Sequence, residues 1–191
     1  MAIIGNNLFH QAWKCKSGIA ATEFALLLPI VTMLFFGMLE VSEAMTVNRR
    51  VATSVNTLAD LTSQLEELSP SEFDSLITGV VEILEPSDLT GLVLSVTSVV
   101  GDVDGNPIVH WSRDRDGNEP YPAGTAFTSL ENSGILTVGG SLIVVEMSYP
   151  HTPSVSHYVM DAPIVFNRKS VRSPRLTSRV QFCPTPTTCT T

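Results

Sequence analysis

Two short acidic segments of this chain contain the residue types that bind calcium. Residues 102–106 and residues 114–118 both read Asp-x-Asp-Gly-Asn, and clustered oxygen ligands suit Ca²⁺. An EF-hand loop has its glycine at position six and a glutamate at position twelve, whereas the glycine here is the fourth residue. Asp-Gly is also among the strongest hairpin-turn signals. We therefore predict two turns that flank one strand and no metal site, with weak calcium candidates at Asp102, Asp104, Asp114 and Asp116.

Patterns typical of catalysis are absent from the sequence. None of the four histidines belongs to an HExxH motif, and there is no Gly-x-Ser-x-Gly elbow, P-loop or dinucleotide-binding fingerprint. A hydrolase would need a Ser, His or Asp whose spacing in the sequence marks it as catalytic, and no residue here has such spacing. We predict that the chain is not an enzyme and uses no cofactor.

The charges are distributed unevenly along the 191 residues. The chain has 11 Lys+Arg against 19 Asp+Glu, a net charge of −8, and aromatic residues make up only 7%. Acidic residues concentrate in residues 40–131, while residues 1–39 and 132–191 are slightly basic. A nucleic-acid partner requires a basic face or aromatic stacking platforms, so this composition predicts no nucleic-acid binding.

One apolar run dominates the N-terminal part. Residues 19–39 contain a single charge, Glu23, and about 20 such residues suffice to cross a hydrocarbon core as a helix. Lys14 and Lys16 precede the run, and positive residues stay on the cytoplasmic side. The run therefore predicts a single membrane pass with a cytoplasmic N-terminus.

The single charge of the apolar run, Glu23, helps to distinguish three interpretations of this membrane segment. A cleaved secretory signal, with Ser42-Glu43-Ala44 as a loose cleavage pattern, and a plain uncleaved anchor are two interpretations. A carboxylate within a membrane segment costs about 2.5–3.5 kcal/mol on insertion scales and normally has a partner and a purpose. A segment with a specific role for Glu23 is the third interpretation.

The residues around Glu23 resemble a known processing site. Gly18, four further residues and then Glu23-Phe24 are similar to the prepilin-peptidase site of type IV pilin-like proteins. The resemblance implies cleavage between Gly18 and Ile19, which frees an α-amino group on Ile19. That amine and the Glu23 carboxylate of an adjacent subunit can pair, and each cancels a charge that hydrocarbon would penalise.

The similarity narrows to one family. Residues 21–29, Ala-Thr-Glu-Phe-Ala-Leu-Leu-Leu-Pro, followed by Gly37, resemble the TadE/TadG family of the tight-adherence (Flp) pilus system, and weaker similarity recurs within residues 109–112, 140–153 and 173–180. The resemblance implies a minor pseudopilin for assembly of a type IVb pilus, located in the bacterial inner membrane with its C-terminal domain periplasmic. Implied partners are the membrane, a prepilin peptidase, the major Flp pilin, other minor pseudopilins and the Tad assembly platform proteins. The alternative is an uncleaved, membrane-anchored periplasmic interaction module unrelated to pili.

The remaining sequence predicts an α+β fold. Pro29 should bend the first helix, which continues past residue 39 because apolar residues step by three and four from Val47 to Leu65. Ser69-Pro70-Ser71-Glu72 predicts the start of a second helix. Beyond Pro86, residues 92–100, 108–112, 141–149 and 154–166 are strand candidates, which predicts an antiparallel sheet packed on the helices.

The three cysteines divide by compartment. Cleavage would remove Cys15, and Cys183 and Cys189 would remain as a pair in an oxidising compartment. We predict a disulfide between them, the alternative being two free thiols on a frayed tail. The expected organisation is a basic leader at residues 1–18, a transmembrane helix at 19–39, a helix extension at 40–68, a periplasmic domain at 69–182 and a tail with the cysteine pair at 183–191.

Overall fold

A computed structural model describes residues 18–130, 133–154, 162–185 and 188–190. The predicted leader therefore lies outside the described residues apart from Gly18, as does the middle of the fourth predicted strand. The fold is α+β, as predicted: one long helix, a second short helix and a four-stranded antiparallel sheet.

The first helix, α1, runs without interruption over Ile19–Ser63 and includes Pro29. Its 45 residues make it roughly 67 Å long at about 1.5 Å per residue. The first buried residue is Val47, so we distinguish a free part, residues 19–46, from a docked part, residues 47–63. The helix ends at Ser63, earlier than the expected residue 68, because Glu67–Leu68 forms a short strand, β1, that pairs with the C-terminal part of the chain.

The docked part packs through one stripe. Its buried residues are Val47, Val51, Ser54, Val55, Leu58, Ala59, Thr62 and Ser63. The predicted stripe is thus confirmed up to Leu58, whereas Leu61 is exposed. Small buried side chains between the apolar ones allow the helix backbone to approach its neighbours; Ser54 Oγ donates to the Val80 carbonyl at 3.3 Å.

The second helix, α2, spans Pro70–Glu82 and begins as the sequence predicts. The Ser69 side chain accepts from the Glu72 N–H, and the Glu72 carboxylate accepts from the Ser69 N–H at 2.9 Å, which forms a capping box. These hydrogen bonds from the Ser69 backbone and side chain lower the pKa of Glu72. Phe73, Ile77 and Val80 are buried against the rest of the core.

The main sheet has the strand order β3-β2-β4-β5, and every neighbouring pair is antiparallel. The strands are β2 (Val93–Gly101), β3 (Pro107–Asp114), β4 (Ser141–His151) and β5 (Ile164–Arg172), and Gln181–Phe182 forms β6 beside β1. The fourth strand was expected at 154–166 but runs from Ile164 to Arg172, because β5 pairs with β4 along its whole length, from Ile164 opposite His151 to Arg172 opposite Ile143.

The two faces of the sheet bury different clusters. The inner face packs on both helices around Val96, Trp111 and Ile143. The outer face is covered over part of its area by the chain between β3 and β4, where Phe127 and Leu136 pack on Val99, Val109 and Val144. Together with the docked part of α1, these layers form the head of the protein.

Candidate functional site

The predicted processing motif lies at the first turn of α1. Gly18 precedes the helix as its N-cap residue and is exposed, and Ile19 is the first helical residue. The Thr22 hydroxyl donates to the Ile19 carbonyl at 2.8 Å. Glu23 and Phe24 follow on the same exposed stretch, with Phe24 64% exposed.

The free part of α1 presents its apolar side chains outward in every direction. All described residues from Gly18 to Leu39 are exposed, including the large side chains Leu26, Ile30 and Phe35. The free part is roughly 42 Å long at about 1.5 Å per residue, against a hydrocarbon core of about 30 Å. Length and composition make α1 a candidate membrane span, and one such N-terminal helix fits single-pass anchoring.

Glu23 has no ionic partner among the residues that the structure describes. The three ion pairs found there join Arg113 with Glu119, Lys169 with Glu146, and Arg175 with Asp60, all within the head. A carboxylate on an exposed apolar helix can therefore find its counter-charge on another molecule.

Pro29 lies within the free part. It has no N–H to donate to the carbonyl four residues earlier, and the helix nevertheless continues on both sides of it. The Thr32 hydroxyl donates to the Leu28 carbonyl at 2.7 Å in the same turn. A bend at Pro29 stays a prediction.

The two acidic segments are turns closed by their own hydrogen bonds. Asp102 Oδ1 accepts from the N–H groups of Asp104 at 2.8 Å and Asn106 at 2.7 Å, and Asp114 Oδ1 does the same with Asp116 and Asn118. Gly105 and Gly117 adopt φ of 80° and 83°, a conformation that favours glycine.

These hydrogen bonds also lower the pKa values of the Asp102 and Asp114 carboxyl groups. The Asn106 N–H is the largest cause of a lowered Asp102 pKa. At Asp114 partial burial is the largest single cause and raises the pKa, but the hydrogen bonds from Asn118, Asp116 and Gly117 together outweigh it and the net shift is downward. The turns lie at opposite ends of β3, so the structure does not bring the four calcium candidates together.

The cysteine pair lies beside β6. The Sγ atoms of Cys183 and Cys189 are 2.05 Å apart, which is bonding distance, and Cys183 is buried. The Thr190 N–H donates to the Phe182 carbonyl at 2.9 Å, which returns the tail to the head. Oxidation of the pair in the mature protein stays a prediction.

A partly buried polar cluster on the outer face was not predicted from the sequence. The Tyr121 hydroxyl donates to Glu146 Oε2 at 2.8 Å, the Ser129 hydroxyl donates to Glu146 Oε1, and Lys169 Nζ lies 3.3 Å from Glu146 Oε1. Burial and the neighbouring Glu146 carboxylate raise the pKa of Tyr121 to about 12. Glu146 interrupts a continuous apolar run in β4, and this interruption was the available sequence signal.

The match to known proteins covers most of α1 and none of the sheet or α2. Residues 18–60 match the family described as TadE-like protein, which confirms the predicted family resemblance over Gly18 and most of α1 and indicates a Tad pilus-associated protein. The weaker similarities after residue 100 lie outside this match. No curated protein and no solved structure matches the chain.

Proposed function

We propose that this chain is a minor pilin-like structural protein for assembly of a Tad (Flp, type IVb) pilus, processed by a prepilin peptidase after Gly18. The observation that carries the proposal is the apolar run at residues 19–39 of the free part, in which every residue is exposed and Glu23, in the second helical turn, is the one charge. The TadE-like match covers this part.

The proposed assembly step uses two charges. Cleavage after Gly18 leaves an α-amino group on Ile19, four residues before Glu23, and hence about one turn away on the same helix face. The amine of one subunit and the carboxylate of its neighbour form an ion pair that offsets the cost of both charges in hydrocarbon. The pair fixes the axial position of neighbouring helices, while the apolar side chains pack against other pilin helices and lipid.

The head stays on the periplasmic side of the inner membrane in this proposal. The N-terminus is cytoplasmic, as the lysines in the leader favour, and the acidic head is held at the distal end of the helix, through residues 47–63. Prepilin peptidase, the major pilin, other minor pseudopilins and the assembly platform proteins are the proposed partners, reached mainly through α1.

Mass spectrometry of the mature N-terminus tests the processing step. We expect a chain that starts at Ile19. An intact Met1 or Ala2 would identify a static anchor and contradict the proposal, and a start at Met45 would identify an exported soluble protein.

Substitution of Glu23 tests the assembly step separately. Because the cut is made after Gly18, Glu23→Ala should leave a chain that is cleaved but no longer supports surface pili. Glu66→Ala, which removes an exposed carboxylate of the head, is the matched control and should assemble normally. Normal piliation with Glu23→Ala would favour the uncleaved interaction module instead.

A further inference from the structure

Three potential metal ligands lie together at the C-terminal loop, away from the helix that the proposed function uses. The Sγ atoms of Cys183 and Cys189 and a carboxylate oxygen of Glu67 are all within 4.8 Å of one another. Glu67 comes from β1, directly after α1, and more than a hundred residues separate it from either cysteine.

The backbone holds these ligands in place without needing the sulfur–sulfur bond. Glu67 lies opposite Gln181 in the β1–β6 pair, and the Cys183 N–H donates to the Leu68 carbonyl at 2.9 Å. On the other side of the loop, two hydrogen bonds of 2.9 Å join Phe182 and Thr190. None of these hydrogen bonds uses a sulfur atom, so we expect both cysteines to remain close to Glu67 on reduction.

Two of the three ligands, Glu67 and Cys183, line a cavity whose charge favours a cation. Its volume is about 530 Å³, and the described residues that line it include the acids Glu67 and Glu72 and no basic residue. Glu72 is occupied by the capping box, where hydrogen bonds from Ser69 lower its pKa and keep it ionised. Glu67 is exposed and is free to turn toward the sulfurs.

We propose that the dithiol form of this chain binds one Zn²⁺ through Cys183, Cys189 and Glu67. Thiolate and carboxylate ligands together suit Zn²⁺, which takes sulfur at about 2.3 Å and carboxylate oxygen at about 2.0–2.2 Å. Three protein ligands leave a fourth tetrahedral position for water, which the cavity admits.

The binding step exchanges protons and transfers no electrons. Each of the two thiols loses its proton as its sulfur bonds to the ion, so one Zn²⁺ displaces two protons to solvent. The disulfide form has no thiolate to offer. Zinc and the disulfide therefore exclude each other, and the metal form belongs to chains whose thiols have not yet been oxidised.

Zinc titration of the full chain in detergent tests the proposal, in a Cys15→Ser background so that Cys183 and Cys189 are the only thiols. After reduction by a phosphine reductant and its removal under nitrogen, we expect about one Zn²⁺ per chain by calorimetry and elemental analysis. Co²⁺ as a probe should give thiolate-to-cobalt charge-transfer absorption. The unreduced chain should bind none.

Glu67→Gln separates this site from adventitious binding to a pair of thiols. Loss of an ionised ligand should weaken zinc binding by at least about tenfold, while Glu66→Gln, at the neighbouring exposed position, should leave the affinity unchanged. Equal affinity in the two variants, no zinc in the reduced chain, or loss of the head's circular dichroism signal on reduction would each overturn the proposal.

Discussion

The two parts of α1 are built from one continuous helix but face different surroundings. In the docked part, Leu58 is fully buried and several polar side chains bond to the head, as Asn48 does to Arg168 and Asn56 to Ser170. In the free part, Leu34 is 69% exposed and Glu23 has no ionic partner among the described residues. The head covers the buried stripe of the docked part. The apolar side chains of the free part require lipid or neighbouring helices, which the single chain does not supply.

The largest expected difference comes from removing one leucine from each part. Leu58→Ala should lower the free energy of unfolding of the head by about 3 kcal/mol, because it leaves a cavity in the core. Leu34→Ala, the matched change in the free part, should leave it within about 0.5 kcal/mol of wild type. Denaturant unfolding in detergent, followed by the fluorescence of buried Trp111, measures both. Equal effects would mean that the free part also packs on the head.

A second contrast compares the two carboxylates that lie among apolar residues. Glu146→Ala should destabilise the head by about 2 kcal/mol, because Lys169 and the Tyr121 hydroxyl lose their shared acceptor. Glu23→Ala should leave the unfolding of the head unchanged, since its proposed partner is another subunit. The same unfolding measurement checks both, and a stability loss with Glu23→Ala would contradict the comparison.

Tyr121 makes the stability of the head depend on pH in the alkaline range. Its pKa is raised from 10.0 to about 12, so the fold favours the protonated phenol. That contribution is fully present below pH 10 and is lost as pH rises toward about 12. Tyr121→Phe should cost about 1 kcal/mol at neutral pH and should reduce the loss of stability in this alkaline range.

The stability of the Tyr121→Phe variant should still fall at alkaline pH because of a second tyrosine. Burial also raises the pKa of Tyr149, so part of the effect should persist in the variant. Unfolding curves across the alkaline range measure it, and identical pH profiles for wild type and variant would exclude the Tyr121 contribution.

The smallest effect concerns the start of α2. Ser69→Ala removes the side-chain half of the capping box and should cost about 1 kcal/mol. It also removes the Ser69 hydroxyl that helps lower the Glu72 pKa. A carboxylate whose pKa is lowered by folding stabilises the folded state at pH values above its ordinary pKa of 4.5. This contribution is lost as pH falls, so Ser69→Ala should lose less stability in acid than wild type. Ser75→Ala, at an exposed mid-helix position, is the control.

Local patterns predicted most of the fold. The helices follow from three-and-four spacing and the capping sequence at Ser69, and β2, β3 and β4 follow from β-branched runs. The strand β5 was misplaced because four polar residues, Asn167 to Ser170, follow one another in it and give no apolar run or alternation. Its even positions contact α1, where Arg168 donates to Asn48 and Ser170 to Asn56, and only the tertiary fold reveals this.

The candidate sites also differ in whether the sequence alone could predict them. The processing motif is contiguous in sequence and could be found without coordinates. The placement of Glu67 beside Cys183 depends on a two-residue parallel pair between β1 and β6, which no local pattern specifies. The contact between Tyr121 and Glu146 likewise joins separate segments through the packing of the outer face.

The hydrogen bonds between the C-terminal segment and the chain directly after α1 have a mechanical consequence. The N–H groups of Arg175, Gln181 and Cys183 donate to the carbonyls of Ser63, Glu66 and Leu68. Tension along α1 reaches the head first through the buried stripe of residues 47–63 and then at this short connection. Because the three bonds lie side by side along the connection, a pull that reaches it strains them together rather than in succession, and residues 175–183 hold the end of α1 to the head.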